Sequence, residues 1–285
     1  MENISKYNCG ICESKLGVTK FMAYDNNFKT TDRVFKIIKC PKCGVSQTLP
    51  LPDSSELIQY YPHIYYPTGP ASEMYYKNHI ERFQIDKLKM IQTYSRIGKL
   101  LDIGCGVGHF IRTALNNGYE AEGVEFSEVA AAVGREQWNL QIVSGDFLSN
   151  QFVPESFDII TLWQVLEHLR QPREVLFKIH HLLKPGGLLV IAVPNFSSIQ
   201  ARIFRNRWYH LDVPRHLFHY SPESLVKILD ICNFHVDKID HHSPEHNYAG
   251  ILGSLMRLSP PGESFIHKVI RKTVATFFAR MFAAL

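Results

Sequence analysis

The 285-residue chain has no run of eighteen apolar residues, so no segment of it reads as a membrane-spanning helix. Its opening, Met-Glu-Asn-Ile-Ser-Lys, lacks the apolar core of a secretory leader. The expectation is therefore a cytoplasmic chain with reduced thiols. Charge of one sign is scarce as well. The formal net charge is only +4, and residues 250–285, with five Lys/Arg and one Glu, account for all of it. The remainder is balanced, which argues against the broad basic face that nucleic acid requires. Cysteine is sparse, and four of the six fall in two pairs. With 45% hydrophobic and 20% charged residues, the composition is that of one large globular domain with a smaller companion.

What is present begins at residues 100–110, Leu-Leu-Asp-Ile-Gly-Cys-Gly-Val-Gly-His-Phe. An apolar strand runs through Asp102 into a turn with glycines at 104, 106 and 108. Glycine there lets backbone approach a ligand that a Cβ would fend off, and the following helix offers free N–H groups. The spacing is G-x-G-x-G, not the G-x-G-x-x-G of a nicotinamide site. An amphipathic helix with Phe110, Ile111, Ala114 and Leu115 then stops at Asn117-Gly118. A second strand, Ala121 to Phe126, ends in Glu125, where a doubly wound sheet can hold a ribose. A third, Gln141 to Ser144, runs into Gly145-Asp146-Phe147. A fourth, Phe157 to Trp163, leads to Gln164-Val-Leu-Glu-His168. The helix Arg173–Leu183, the turn Lys184-Pro-Gly-Gly187 and a fifth strand, Leu188–Val193, follow.

The glycine turn behind an acid, the ordered acids at 102, 125 and 146, and the Leu-Glu-His and Lys-Pro-Gly-Gly elements resemble the class I S-adenosylmethionine-dependent methyltransferases over residues 98–242. The resemblance implies a Rossmann-like, doubly wound α/β sheet. It places Asp102, Gly104, Gly106, Gly108, Glu125, Phe126, Asp146, Phe147 and Gln164 at the cofactor. Glu125 would hold the ribose, and Asp146 would accept from the adenine amino group beside an apolar wall. His168, after the fourth strand, lies near the reactive end in this topology and is one candidate base. Family members usually finish with a sixth strand and a seventh antiparallel to it. A sixth is expected from Phe234, and no seventh is evident.

The cysteines point to a second site. Cys9-x2-Cys12 and Cys40-x2-Cys43 have the spacing of a tetrahedral zinc centre with four thiolate ligands. Between them, Val18–Tyr24 and Val34–Ile38 alternate and are expected to pair as a β-ribbon. About 45 residues cannot hold a core unaided, so the metal should supply much of the folding energy. Four thiolates leave no open position, which makes the zinc structural. Cys105 and Cys232 sit in apolar contexts and read as core residues.

After the fifth strand, Trp208-Tyr-His-Leu-Asp-Val-Pro-Arg-His-Leu-Phe-His219 concentrates aromatic and ionisable groups. The Asp212–Arg215–His216 segment is expected to close over the acceptor, with His216 as the second candidate base. The stretch resembles a segment of zinc-ribbon methyltransferases associated with cell-surface polysaccharide pathways. Ser221-Pro222-Glu223 is a helix start. Residues 248–285 read as an amphipathic helical tail. Residues 263–285 would dock on the protein's own body, a partner subunit or an anionic membrane surface.

The expected division is a zinc ribbon over 1–50, a strap and lid helix over 51–97, the cofactor domain over 98–247 and the tail over 248–285. The expected activity is methyl transfer from S-adenosylmethionine to a small-molecule acceptor, a sugar or sugar nucleotide. The alternatives are an RNA methyltransferase with a zinc module and a non-catalytic cofactor-binding partner module.

Overall fold

The computed structural model describes residues 7–62, 81–241 and 243–257, together with residues 273 and 276. These sort into two compact units. One holds the chain up to Pro62, then Pro194–Ile231 and the residues from His235 onward; the other runs to Val193 and takes back Cys232–Phe234. The first is called the ribbon unit here and the second the α/β unit.

In the ribbon unit, β1 (Val18–Ala23) and β2 (Phe35–Lys39) pair antiparallel, as their alternation predicts. Phe35, Ile37 and Ile38 are buried while Lys36 and Lys39 are exposed, so β2 buries residues on both faces. β3 (Ser46–Leu49) adds to β2. Its Ser-Gln-Thr-Leu sequence carries no hydrophobic period, yet Ser46, Gln47 and Thr48 are all buried. The short helix α1 (Ser54–Gln59) starts at Asp53, whose carboxylate accepts from the Glu56 N–H at 2.8 Å.

The α/β unit opens with α2 (Glu81–Gln92), and β4 (Lys99–Ile103), α3 (His109–Asn116), β5 (Glu120–Glu125), α4 (Glu128–Trp138) and β6 (Ile142–Ser144) follow. Then come β7 (Phe157–Trp163), α5 (Pro172–Leu182) and β8 (Leu183–Ala192). The strands form one parallel sheet in the order β6-β5-β4-β7-β8. Leu100, Leu101, Ile103, Ile159, Ile160 and Leu162 are all buried, the continuous apolar run of strands covered on both faces. Each such side chain contributes about 1.5–3 kcal/mol. Leu88 and Ile91 of α2 and Phe110, Ile111 and Ala114 of α3 close one side of that core. Leu115 departs from its expected role: it falls outside the inward stripe and is 40% exposed. Within β8 the register slips after Leu183, so Lys184-Pro-Gly-Gly187 bulges before pairing resumes at Leu188. Strand order reverses beside β4, with β5 on one side and β7 on the other, and that fixes where a ligand crevice forms.

The chain then returns to the ribbon unit through α6 (Ile199–Phe204), β9 (Phe218–His219), α7 (Pro222–Ile231) and α8 (Pro244–Met256). β9 pairs antiparallel with β3 and completes a four-stranded sheet, β1-β2-β3-β9. The boundaries expected at 50, 97 and 247 therefore do not coincide with the two units. The physical reason is that β3 is a buried polar strand with an open edge, and residues 217–219 supply the hydrogen bonds that edge needs.

The sixth strand expected from Phe234 is absent. Residues 234–241 pair with nothing in a sheet, because only Phe234 and Val236 turn inward before Asp237, Lys238 and Asp240, and Ile239 is 51% exposed. Among the described residues, no helix is long and apolar enough to cross a membrane. Of the strap and lid helix expected over 51–97, residues 63–80 lie outside the described residues, as does the tail contact at 263–285 apart from residues 273 and 276.

Candidate functional site

The glycine turn joins β4 to α3, and all three of its glycines have positive φ: +70° at Gly104, +58° at Gly106 and +86° at Gly108. Any Cβ would strain the backbone there. At Gly104 it would also stand 2.4 Å from Val165 Cγ2, and at Gly108 2.4 Å from Leu140 Cδ1. Gly106 differs. A Cβ there would meet nothing within 4 Å, so its backbone faces open space, the side from which a ligand can approach.

Glu125 ends β5 beside this turn. Its Oε2 accepts from the Gly106 N–H and its Oε1 from the Ser127 N–H, both at 2.8 Å. Through these two bonds the carboxylate, itself 4% exposed, shapes the turn. Asp102, on the adjacent strand, is 2% exposed and its Oδ1 accepts from the Thr161 hydroxyl at 2.6 Å. Burial pushes Asp102 up to about 7, against the pull of Thr161 and Lys87. A cation bound beside it would draw it back to the carboxylate.

The Gly145 N–H donates to the Glu125 carbonyl at 2.9 Å, which brings the next turn to the same sheet edge. Asp146 there is exposed, and its Oδ1 accepts from the Leu148 N–H at 3.0 Å. The two phenylalanines expected at the site part company: Phe126 is 58% exposed, whereas Phe147 is 4% exposed and packs on Phe152 with ring centroids 6.1 Å apart. Gln164 follows β7 with φ +58°, held by its N–H to the Ala192 carbonyl at 2.8 Å. His168 closes a single 3-10 turn, Leu166–His168, and is half-buried. The fold thus gathers Asp102, the glycines, Glu125, the Asp146 turn and residues 164–168 at one edge of the sheet. Thr161, Ser127 and Lys87 join them without having been singled out from the sequence; only the position of Thr161 opposite Asp102 in the parallel register offered a signal.

The 208–219 segment belongs to the ribbon unit, and there the expectation for Asp212 and Arg215 is corrected. Arg215 is fully buried. Its Nη2 donates to Asp25 Oδ1 at 2.6 Å and Asp212 Oδ1 at 2.8 Å, its Nη1 to the Tyr60 carbonyl at 2.9 Å, and its Nε to Asp212 at 3.1 Å. The Phe28 ring lies 4.6 Å from the guanidinium. Burial raises Asp25, but Arg215 and Thr30 outweigh it and hold the group well below the usual carboxylate range. A guanidinium so enclosed is committed to these partners within the ribbon unit. His219 is buried against the Thr48 hydroxyl at 2.9 Å and pushed down to about 3 by burial, so it stays neutral. His210 is lowered by burial as well and meets the His246 carbonyl at 2.8 Å. His216 is held by Nδ1 against the His210 carbonyl at 2.8 Å, and its own carbonyl accepts from Thr48 at 2.8 Å. A carbonyl partner requires Nδ1 to carry the proton, and Nε2 lies 4.0 Å from Asp212 Oδ2.

The four paired cysteines converge in the ribbon unit. Cys9 and Cys43 Sγ lie 3.6 Å apart, Cys12 and Cys40 Sγ 3.5 Å apart, and all four sulfurs fall within 4.8 Å of one another. A tetrahedron of sulfurs about 2.3 Å from a central zinc has edges of about 3.8 Å. The backbone N–H groups of Ile11, Ser14 and Val45 approach Cys9, Cys12 and Cys43 from two residues on. Amides so placed favour thiolates. The donor set fits a structural divalent metal. Cys105 instead packs against Gly123, and Cys232 is buried, as expected of core thiols.

Five parallel strands with a glycine turn after the central one and an acid ending the adjacent β5 define a class I S-adenosylmethionine-dependent methyltransferase domain. Residues 76–239 match the family model described as a methyltransferase domain, and the chain belongs to that family. Two curated relatives carry the same name. The mitochondrial ubiquinone biosynthesis O-methyltransferase of Schizosaccharomyces pombe is 33% identical over 48% of this chain and 52% of its own length. The ubiquinone biosynthesis O-methyltransferase of Glaesserella parasuis is 36% identical over 35% and 47%. The chain thus spans about half the length of these relatives. Among solved structures, phosphoethanolamine N-methyltransferase 2 of Haemonchus contortus, in complex with S-adenosyl-L-methionine, is 20% identical with a TM-score of 0.49, over 70% of this chain and 49% of that one.

Proposed function

We propose that the protein transfers the methyl group of S-adenosylmethionine to a hydroxyl oxygen of a small-molecule acceptor. The observation that carries this reading is the Glu125 carboxylate seated on the Gly106 and Ser127 amides, beside buried Asp102. The relatives' names add O-methylation, and they name ubiquinone biosynthesis, not sugars; sugar hydroxyls therefore enter as one arm of the test. Bound there, S-adenosylmethionine supplies an electrophilic methyl whose sulfonium sulfur takes back the bonding electrons as a thioether. Glu125 holds the ribose hydroxyls, Asp146 accepts from the adenine amino group and Phe126 offers an open apolar face. Gly104, Gly106, Gly108 and Gln164 shape the backbone around it. A histidine, His168 or His216, removes the hydroxyl proton as the oxygen–carbon bond forms.

The direct test supplies labelled cofactor with phenolic and sugar acceptors and follows methylated product by mass spectrometry. Substitution by alanine of whichever histidine is the base should lower turnover about a hundredfold, with cofactor affinity within about twofold of wild type. If neither His168→Ala nor His216→Ala slows turnover, the histidine assignment is wrong.

The second element of the reading is one structural zinc per chain on Cys9, Cys12, Cys40 and Cys43. Chelation is expected to strip hydrogen-exchange protection from 35–49 and, because β9 pairs with β3, from 217–219 as well. Strands β4 to β8 should keep theirs. Metal analysis without zinc, or unchanged stability in Cys40→Ser, would count decisively against the centre.

A further inference from the structure

We propose that Lys178 is a positioning residue for the cofactor's base: from α5 it holds the 146–150 turn in the shape that presents Asp146 to the adenine amino group. This rests on the reading of Asp146 given above.

Surface lysines ordinarily keep the ammonium in water while the stem lies on the protein. Lys178 does the reverse. Its Nζ donates to the carbonyls of Phe147 at 2.6 Å, Leu148 at 3.1 Å and Asn150, so three N–H groups meet three backbone acceptors. The same ammonium lies 4.7 Å from the Phe147 ring centroid and 5.9 Å from that of Phe152. Its helix is anchored beneath by buried Val175, Leu176, Ile179 and Leu182, so the charge comes from a fixed platform.

The turn needs such a cation. The Ser149 and Asn150 N–H groups fold back on the Asp146 carbonyl at 3.1 and 3.3 Å, and Leu148 N–H binds the Asp146 carboxylate. With those amides committed to Asp146, the carbonyls of 147, 148 and 150 converge on one point. Three carbonyl dipoles aimed together repel one another unless a positive charge sits among them. Lys178 supplies that charge, and it also packs on the buried ring of Phe147, the residue next to Asp146. It touches no reacting atom; it sets where the carboxylate points.

The measurement is selectivity for the base. Calorimetry compares S-adenosylhomocysteine with S-inosylhomocysteine, whose 6-oxo group presents an acceptor where adenine presents a donor. Wild type should prefer the adenine compound about tenfold or more, the worth of one hydrogen bond to a charged group. Asp146→Ala should abolish the preference. Lys178→Met should reduce it severalfold, by a selective loss for the adenine compound, and Lys178→Arg should restore most of it. Lys178→Gln, which keeps one donor, serves if the methionine variant does not fold. Equal weakening of both compounds in the Lys178 variants would show a merely structural role and overturn the proposal. A lost preference in Asp146→Ala with an intact one in Lys178→Met would overturn it while sparing Asp146. An intact preference in Asp146→Ala would remove both.

Discussion

Arg215→Met is expected to destabilise the ribbon unit by about 3–5 kcal/mol, the usual cost of removing one partner from a buried ion pair. The deficit arises less from lost attraction than from what remains: Asp25 and Asp212, 4% and 8% exposed, without the cation that neutralised them. The pH dependence has a defined sign. In wild type, Asp25 lies below its unfolded pKa, so its contribution is present above about pH 4 and is lost as pH falls through the depressed value. In the variant Asp25 loses the guanidinium that opposed its burial, so its penalty grows as pH rises and fades toward pH 4. Denaturant melts at pH 7 and pH 4.5 read this directly. A gap between the two proteins that does not narrow at the lower pH would show that the pair is not the source of the loss.

The second large effect concerns Glu125→Ala. Its carboxylate makes two charge-assisted bonds to backbone within the turn, and the reading adds two to ribose. Losing even two, at roughly 1.5–3 kcal/mol each, amounts to a hundredfold or larger drop in cofactor affinity. Glu125→Gln should recover little, since its amide N–H would face one of the two backbone N–H donors. Calorimetry with S-adenosylhomocysteine is the measurement. Wild-type affinity in Glu125→Ala would sink the ribose assignment.

These two residues also show what the sequence made legible. Glu125 was readable because its position is set by a local rule: an acid at the end of a strand that follows a glycine turn and a helix. Local patterns likewise placed Asp102 in the strand before the glycine turn, Asp146 in the turn after β6, and the five parallel strands. Arg215 was not readable, because a charged residue in a run of aromatics and histidines looks like a site when nothing reveals its partners. Asp25 lies 190 residues earlier, and no periodicity connects the two. β3 was missed for a related reason. Ser46, Gln47 and Thr48 are buried polar groups: the Thr48 hydroxyl is satisfied by the His216 carbonyl, and Gln47 accepts from the Gly10 N–H at 3.3 Å. Hydrophobic patterning is blind to a strand stabilised in that way. The missing sixth strand is the converse case, an alternation at Phe234 and Val236 too short to bury a face.

The pairing of β9 with β3 means that the ribbon sheet is written at two distant places in the gene product. During synthesis the cysteine knuckles leave the ribosome first, but Arg215 follows Asp25 only after 190 residues, roughly 10–40 s at typical elongation rates. Until then β3 has a bare edge and Asp25 has no counter-ion. If the knuckles bind zinc as proposed, metal capture can brace β1 and β2 before β9 arrives, so zinc supply during translation is expected to raise the yield of folded chain more than zinc supplied afterwards.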